Sequence, residues 1–207
     1  MLATETNSRI KLLDAALAVI RSKGYTAATL DDICAAAGVT KGSYFHYFKS
    51  KEEMALQAVE HWNTMTSGLF AMAPYTLLAD PRDRVLAYID FRSEILQGDL
   101  PDFTCLLGTM VQETFVTHPR IRDACNNGIA LHAALVAKDI NAAKALYAPN
   151  ATWQADDLAL YTQAAIQGAF ILAKAHGNAG SADIAASCIV HLRRYVASLL
   201  NPASGLS

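Results

Sequence analysis

The sequence has few charged residues and no long apolar run. Only 17% of its 207 residues are charged, compared with about 25% in an average globular protein, and 53% are hydrophobic. Because disordered chains are polar and rich in charge, this composition excludes disorder as the main state. No segment approaches the roughly 20 uninterrupted apolar residues that a membrane-spanning helix requires. Residues 1–11 also lack a signal-peptide pattern, so we expect a cytoplasmic protein with no membrane partner.

Cysteine is scarce, and its spacing fits neither a zinc site nor a redox pair. Cys34, Cys105, Cys125 and Cys188 lie far apart and form no C-x-x-C pair, so we expect free thiols in a reducing compartment. The six histidines show no metal-binding spacing, and the sequence contains no G-x-S-x-G, P-loop or dinucleotide-binding motif. We therefore expect no metal, no cofactor and no catalytic residues.

Glycine and proline are also few, with 11 and 6 residues, and they lie mostly between segments of helical periodicity. No segment shows the alternation of a strand. The pattern predicts an all-α fold of about nine helices, followed by a frayed tail at 201–207. The predicted helices span about 8–23, 29–37, 41–47, 51–72, 81–97, 104–117, 119–147, 155–176 and 181–200. Four residues are predicted to cap helix N-termini, namely Thr29, Ser50, Asp80 and Ser181.

The small net charge of −2 is unevenly distributed along the chain. Residues 1–51 contain seven basic and four acidic residues, a net charge of +3, whereas residues 52–207 have a net charge of −5. An even distribution would argue against a nucleic-acid partner. The basic first quarter removes that argument.

Residues 29–51, TLDDICAAAGVTKGSYFHYFKSK, have the pattern of a helix-turn-helix. A helix with three small alanines, which allow close packing, leads to Gly38, which suits a tight turn. The short helix that follows contains polar side chains able to donate to phosphates and base edges. In this motif the second helix enters the major groove of DNA.

The first fifty residues resemble the N-terminal domain of TetR-family transcriptional regulators, most closely over about 9–60. The later segments CLLGTMVQE and QGAFILAKAHG resemble a subgroup that includes regulators sensing small organic and electrophilic compounds. The resemblance implies a DNA-binding domain at 1–51 and a ligand-binding and dimerisation domain at 52–207. It also implies a homodimeric repressor that a small-molecule effector releases from a palindromic, double-stranded DNA operator. An activator on the same fold remains an alternative.

The resemblance also implies which residues contact DNA. Residues 41–43 match the start of the recognition helix, and Lys51 matches a lysine that anchors the DNA backbone. Tyr44 stands where the family often has Leu, and we expect it to contact the groove. Phe45 replaces a phosphate-binding Tyr and lacks its hydroxyl, so we expect Phe45 and Phe48 to lie in the core. The predicted DNA-contacting residues are Thr29, Thr40, Lys41, Gly42, Ser43, Tyr44, His46, Tyr47 and Lys51.

The body of the chain contains residues suited to a ligand pocket and a dimer interface. Each set has an alternative: these residues fill the protomer's own core, and Arg92 pairs with Glu113. The predicted ligand-binding residues are Trp62, Met65, Leu69, Tyr88, Phe91, Arg92, Cys105, Thr109, Met110, Glu113, Gln163, Gln167 and Phe170. The predicted interface residues, on the last two helices, are Ile166, Ala169, Ala173, Ile184, Cys188, Leu192, Tyr195 and Leu199.

Cys105 favours an alternative trigger. It stands at the start of a predicted helix, where the helix dipole and unpaired amides stabilise a thiolate. The subgroup resemblance implies that a cysteine at this place can sense electrophiles. Cys105 is thus either a packing residue or the covalently modified switch of a regulator with the same fold. A helical-bundle enzyme is a remote alternative, since no acid–base pair has a convincing spacing.

Overall fold

The computed structural model describes the backbone of residues 2–201 and the side chains of residues 8–201, so the tail predicted to fray lies, except for Asn201, outside the described residues. The described chain is helical, without strands, which confirms the predicted all-α class. The helices are α1 (Leu2–Lys23), α2 (Leu30–Ala37), α3 (Lys41–Tyr47), α4 (Lys51–Ala71), α5 (Pro81–Glu94), α6 (Leu100–Phe103), α7 (Leu106–Thr114), α8 (Pro119–Tyr147), α9 (Ala155–His176) and α10 (Ser181–Leu199). A 3-10 turn at Pro74–Leu77 precedes α5.

Ten helices replace the nine that the sequence predicts, because the segment expected to be a loop at 99–103 contains α6. The Asp102 carboxylate accepts the backbone N–H of Asp99 at 2.8 Å, which is a local N-terminal cap. The helix predicted to reach Gln97 ends at Glu94, and the one predicted at 104–117 is confined to α7.

Three of the four predicted caps are present. Thr29 and Asp32 form a capping box at α2. The Ser50 hydroxyl accepts the N–H of Glu53 at 3.0 Å, and the Asp80 carboxylate accepts that of Arg82 at 2.8 Å. The prediction for Ser181 is wrong, because Ser181 is the first residue of α10 and its hydroxyl donates to the Asn178 carbonyl at 3.0 Å.

Clustering of contacts divides the chain into two compact units. The first contains the described residues up to Ser67 together with Thr104–Gly128, that is α1 to α3, most of α4, α7 and the start of α8. Helix α1 packs on α2, α3 and α7 around a core of fully buried side chains. These include Leu12, Ile20, Ile33, Phe48, Met54, Met110 and Ile121.

The second unit contains Gly68–Phe103 and the described residues from Ile129 onward. Within it, α10 packs on both α9 and α5. Ion pairs join Arg84 to Asp139 at 2.8 Å and Arg193 to Asp90 at 2.6 Å. The division into these units falls within α4 and α8, whereas the predicted functional division falls at residue 51 and stays a prediction.

The packing of α9 and α10 corrects the predicted dimer interface. Four of its residues, Ile166, Ala169, Ala173 and Leu192, are at most 4% exposed in the single protomer. They form the protomer's own core, which was the alternative that the sequence left open. Ile184, Cys188 and Leu199 are half-buried, and Tyr195 is exposed.

No helix within the described residues combines the length and apolar character that crossing a membrane would need.

Candidate DNA-reading helix and effector site

Helix α3 begins at a turn that the sequence specifies closely. Gly38 has a left-handed backbone, with φ of 64°, which side chains resist and glycine tolerates. The Thr40 hydroxyl then caps α3 by accepting the N–H of Ser43 at 3.2 Å. The solvent-exposed side of α3 contains Lys41, Gly42, Phe45 and His46. The first unit therefore has the geometry of a helix-turn-helix with an accessible second helix.

Tyr44 and Phe45 have the opposite of their predicted environments. Tyr44 is only 2% exposed; its hydroxyl donates to the Ser50 carbonyl at 3.2 Å, and burial raises its pKa to about 12. Phe45 is 59% exposed, so its predicted place in the core is wrong. Residues 44 and 48 are one helical turn apart and share the inward face, while residue 45 lies about 100° around the helix. The burial of Tyr44 contradicts its predicted contact with the groove, and Phe48 is buried as expected.

Two of the predicted DNA contacts, Lys41 and Lys51, have intramolecular partners in the first unit. Lys41 pairs with Asp31 at 2.7 Å, which raises the pKa of Lys41, and both side chains are exposed. Lys51 is half-buried over the Tyr25 ring, 4.6 Å from its centroid, and donates to the Thr26 carbonyl at 3.2 Å. Burial lowers the pKa of Lys51. Of this pair of lysines, only Lys41 is exposed.

The other polar side chains of the motif are arranged around the two helix ends. The Thr29 hydroxyl donates to the Asp32 carboxylate at 2.8 Å in addition to capping α2. His46 stacks edge-on against Tyr47, with ring centroids 4.8 Å apart. Ser43 and Tyr47 are half-buried.

Glu113 of α7 lies against the turn that follows α1. Its carboxylate accepts the backbone N–H of Tyr25 at 3.2 Å and of Thr26 at 2.7 Å. Gly24 allows this approach, because a Cβ at that position would overlap the Glu113 carboxylate. The predicted roles of Glu113, as a polar handle for a ligand or as the partner of Arg92, stay predictions. Its oxygens satisfy the backbone of the first unit.

In the second unit, aromatic rings surround the buried side chain of Arg92. The guanidinium carbon lies 5.2 Å from the centroid of Phe70 and 5.9 Å from that of Phe170. Phe70 also contacts the rings of Tyr88 and Phe91, with centroids 5.9 and 5.8 Å apart. Arg92 is 9% exposed, and its Nε has no hydrogen-bond partner within the part of the chain that the structure describes.

A line of hydrogen bonds crosses the same cluster. The Gln163 amide donates to the Tyr88 hydroxyl at 3.1 Å, and that hydroxyl lies 2.9 Å from Nε2 of His132. Burial and the charge of Arg92 lower the pKa of His132 to about 4, so the ring is neutral at pH 7. The tautomer of the neutral ring decides whether Nε2 donates or accepts in its hydrogen bond with the Tyr88 hydroxyl. We call Phe70, Tyr75, Tyr88, Phe91, Arg92, His132, Gln163 and Phe170 the Arg92 cluster.

The predicted ligand-binding residues are distributed over both units. Tyr88, Phe91, Arg92, Gln163 and Phe170 meet in the Arg92 cluster, whereas Trp62, Met65, Cys105, Thr109, Met110 and Glu113 belong to the first unit. The Trp62 ring contacts Arg21, whose guanidinium carbon lies 5.0 Å from the ring centroid. Thr109 bonds to the carbonyl of Cys105, Met110 is fully buried, and Gln167 is half-buried.

Three members of the cluster were missed by the sequence analysis. Phe70 is buried while the predicted Leu69 is exposed, so the expected inward face of α4 was wrong by one residue. Tyr75 lies in the 3-10 turn, which was expected to be a loop, and its ring is 5.7 Å from Tyr88. His132 carries no motif, and only its place on the inward face of α8 could have indicated it.

Cys105 is the N-cap residue of α7 and is partly exposed. Cys125 of the same unit is buried, and burial together with the nearby Cys105 raises its pKa to about 12. All four cysteines are free thiols, as expected. No group of three metal-ligating side chains is found among the described residues.

Apolar side chains remain exposed on α9 and α10. Tyr161 and Tyr195 stack edge-on across the two helices, with ring centroids 5.4 Å apart, and both are about half exposed. The same two helices also expose Leu160, Ile171, Leu172 and Val190, and we call these six residues the outer face.

Two family models match the chain. The model described as bacterial regulatory proteins, tetR family, matches residues 12–58, and that of the transcriptional regulator LmrA/YxaF-like C-terminal domain matches residues 81–187. Both describe transcriptional regulators, and neither describes an enzyme.

Curated relatives match over part of their length. The transcriptional regulator AcuR of Cereibacter sphaeroides is 30% identical over 102 residues, 49% of this chain and 47% of that protein. The HTH-type transcriptional repressor KstR2 of Mycolicibacterium smegmatis is 31% identical over 113 residues, 46% of this chain and 54% of that protein. The chain thus spans about half the length of these relatives.

Solved structures share the fold over nearly the whole chain. A TetR transcriptional regulator from Chloroflexus aurantiacus has a TM-score of 0.80 at 24% identity, covering 94% of this chain and 96% of that one. The reduced form of NemR from E. coli has a TM-score of 0.71 at 23% identity, covering 90% and 96%. With one family model on the helix-turn-helix and a second over more than half of the sequence, the chain belongs to the TetR family of bacterial transcriptional regulators.

Proposed function

We propose that the protein is a homodimeric repressor that a small-molecule effector releases from a palindromic DNA operator. The observation that carries the proposal is the solvent-exposed side of α3. It lies in a chain of this family whose first 51 residues have a net charge of +3. A short recognition helix reads few bases, so two copies are needed to specify a site.

The proposed base contacts come from the exposed face of α3. Lys41 and His46 are placed to donate to base edges or phosphates, and Gly42 allows close approach of the backbone. Phe45, which replaces Tyr44 in this role, offers an apolar surface suited to the methyl group of thymine. The remaining proposed contacts, chiefly to phosphates, are Thr29, Thr40, Ser43, Tyr47 and Lys51.

The proposed dimer interface is the outer face of α9 and α10. Its exposed apolar residues replace the four interface residues that the protomer buries in its own core. Two copies of this face would pair four helices around one two-fold axis, so that every contact between two residues would occur twice. Leu172→Asp is expected to convert the dimer to monomers, measured by sedimentation.

The proposed effector site is the Arg92 cluster in the second unit. An effector can shift the protein between two geometries only by as much as it binds one of them better. A repressor of this kind therefore needs an effector with lower affinity for the DNA-bound geometry than for the free one.

Operator binding tests the function directly. The full-length protein is mixed with labelled DNA from upstream of its own gene, in competition with unrelated DNA, at several salt concentrations. We expect a specific complex whose log affinity falls linearly with log salt, because phosphate contacts release counterions. Affinity that is unchanged between low and physiological salt, or equal for both DNAs, contradicts the proposal.

Covalent modification of Cys105 is a second candidate trigger, favoured by its partly exposed position at the N-cap of α7. Mild alkylation followed by mass spectrometry compares Cys105 with the other three cysteines. Preferential modification that also releases DNA supports this candidate. Equal reactivity, or full release in Cys105→Ser, excludes it and leaves the reversible effector.

A further inference from the structure

The buried guanidinium of Arg92 has a donor, Nε, that lacks a hydrogen-bond partner among the described residues. The side chain is 9% exposed, its Nε has no hydrogen-bond partner, and no carboxylate of its own unit pairs with it, among the described residues. Its contacts are the faces of Phe70 and Phe170, which attract a cation but accept no planar pair of hydrogen bonds. Burying a charge is costly unless it is paired, so a guanidinium in this state favours an incoming anion.

Two acidic side chains of the same unit are already engaged with other arginines. Asp90, on the same helix, pairs with Arg193 at 2.6 Å, and Asp139 pairs with Arg84 at 2.8 Å. Neither carboxylate can turn to Arg92 without leaving another arginine unpaired. The missing counter-charge therefore has to come from outside this unit's own ion pairs.

The surroundings of Arg92 define what such an anion must look like. Burial and the charge of Arg92 lower the pKa of His132 to about 4 and keep its ring neutral at pH 7, so Arg92 supplies the only positive charge in the Arg92 cluster. One charge balances a monoanion and leaves a phosphate dianion undercompensated. The planar guanidinium matches a carboxylate with two parallel hydrogen bonds. The aromatic rings around it suit an apolar ligand body.

We propose that Arg92 binds the carboxylate of a monoanionic organic acid whose apolar part lies among the aromatic rings of the Arg92 cluster. This assignment rests on the proposed function, since it names the chemical class of the effector. Gln163 and Tyr88 add a second polar group close to the acid, which can select ligands that donate or accept a hydrogen bond there.

The test uses the full-length protein and matched pairs of probes. Acetate, butyrate, hexanoate, benzoate and cinnamate are each compared with the corresponding primary amide, which has nearly the same shape without the charge. Binding is measured by calorimetry and by the shift in melting temperature at millimolar probe. We expect at least one acid to bind roughly tenfold more tightly than its amide, because only the acid forms charge-assisted hydrogen bonds.

Two variants separate ligand binding from structural support. Arg92→Met should abolish the preference for acid over amide, and its melting temperature without ligand should equal or exceed that of the wild type, because an unpaired buried charge is removed. Glu94→Gln, an exposed charge change on the same helix, should alter neither. A lower melting temperature in Arg92→Met with the acid preference intact would overturn the proposal, because Arg92 would then be a structural residue.

The outcomes also distinguish this inference from the proposed function. If no acid binds better than its amide, the assignment of a carboxylate is wrong; release of the operator by a neutral amide would still support a ligand-responsive repressor. If an acid binds through Arg92 without releasing operator DNA, the site is supported and its role as the effector site is contradicted.

Discussion

Lys41 in the first unit and Arg92 in the second have opposite environments. In the first unit, Lys41 is exposed and pairs with Asp31 at the surface, where such pairs contribute little to stability. In the second, Arg92 is buried, and its Nε has no hydrogen-bond partner among the residues that the structure describes. A surface lysine can exchange one anion for another at small cost, which suits a helix that meets phosphates. A buried unpaired arginine destabilises its own unit, which suits a site completed by a ligand.

The largest expected effect concerns His132, a buried group of the second unit. Its pKa is about 4 in the folded protein, lowered by burial and by Arg92, against about 6.5 when unfolded. Between pH 6.5 and pH 4 the unfolded chain protonates this histidine and the folded protein does not. The free energy of unfolding is therefore unaffected by His132 above pH 6.5 and falls by about 3 kcal/mol as the pH falls to 4. Urea unfolding at pH 7 and pH 4 measures it.

His132→Gln, which keeps a side chain able to hydrogen-bond with Tyr88, should shrink the difference in unfolding free energy between pH 7 and pH 4 by about 3 kcal/mol. His191 is exposed on α10, and His191→Gln serves as the matched control, with the difference unchanged. If both variants retain the wild-type pH dependence, the second unit does not hold a neutral buried histidine.

The next prediction tests whether other charged side chains of the first unit can be removed with as little loss of stability as Lys41. Glu113 accepts two backbone N–H groups of the turn after α1, so Glu113→Ala leaves both without their charged acceptor. We expect the free energy of unfolding to fall by about 2 kcal/mol. Gln112→Ala, whose side chain bonds only within α7, is the control for urea unfolding. Equal losses in the two variants would make Glu113 an ordinary surface residue.

Local signals in the sequence predicted the helices and most of their caps. Thr29, Asp32 and Gly38 act through the backbone within a few residues, so their spacing alone determines how α2 begins and ends. The recognition helix α3 was found for the same reason. Its burial pattern was not, because which of two adjacent aromatic residues faces inward depends on the packing of α3 against α1 and α2.

The candidate effector site was only half predictable. Helical spacing selected Tyr88 and Arg92 on α5 and Phe170 on α9, and the two helices bring these side chains together only through tertiary packing. The sequence could not show that Arg92 lacks a carboxylate, since Asp90 is only two residues away and pairs elsewhere. Nor could it show that His132 comes within hydrogen-bond distance of Tyr88, 44 residues earlier.

A smaller effect is expected at the exposed face of α3. Phe45→Ala should weaken operator binding roughly tenfold, about 1.4 kcal/mol, because an apolar contact with a base is lost. It should leave the unfolding free energy nearly unchanged, since the ring is largely exposed. Tyr44→Phe is the matched variant, with unchanged affinity and a loss of about 1 kcal/mol in stability from its hydrogen bond to Ser50. The reverse pattern, measured by mobility shift and urea unfolding, would restore Tyr44 as the groove contact.

The smallest effect tests whether Lys41 is as freely exchangeable as its surface pairing implies. Lys41→Gln should reduce the slope of log affinity against log salt by about one, through the loss of a phosphate contact, while stability changes by less than about 0.5 kcal/mol. Asp31→Asn should act in the opposite direction and strengthen operator binding, because Lys41 no longer has to leave a carboxylate. Lys138→Gln, on the exposed side of α8, controls for net charge alone. If Lys138→Gln changes the salt slope as much as Lys41→Gln does, the change comes from the net charge of the protein. The proposed phosphate contact of Lys41 is then contradicted.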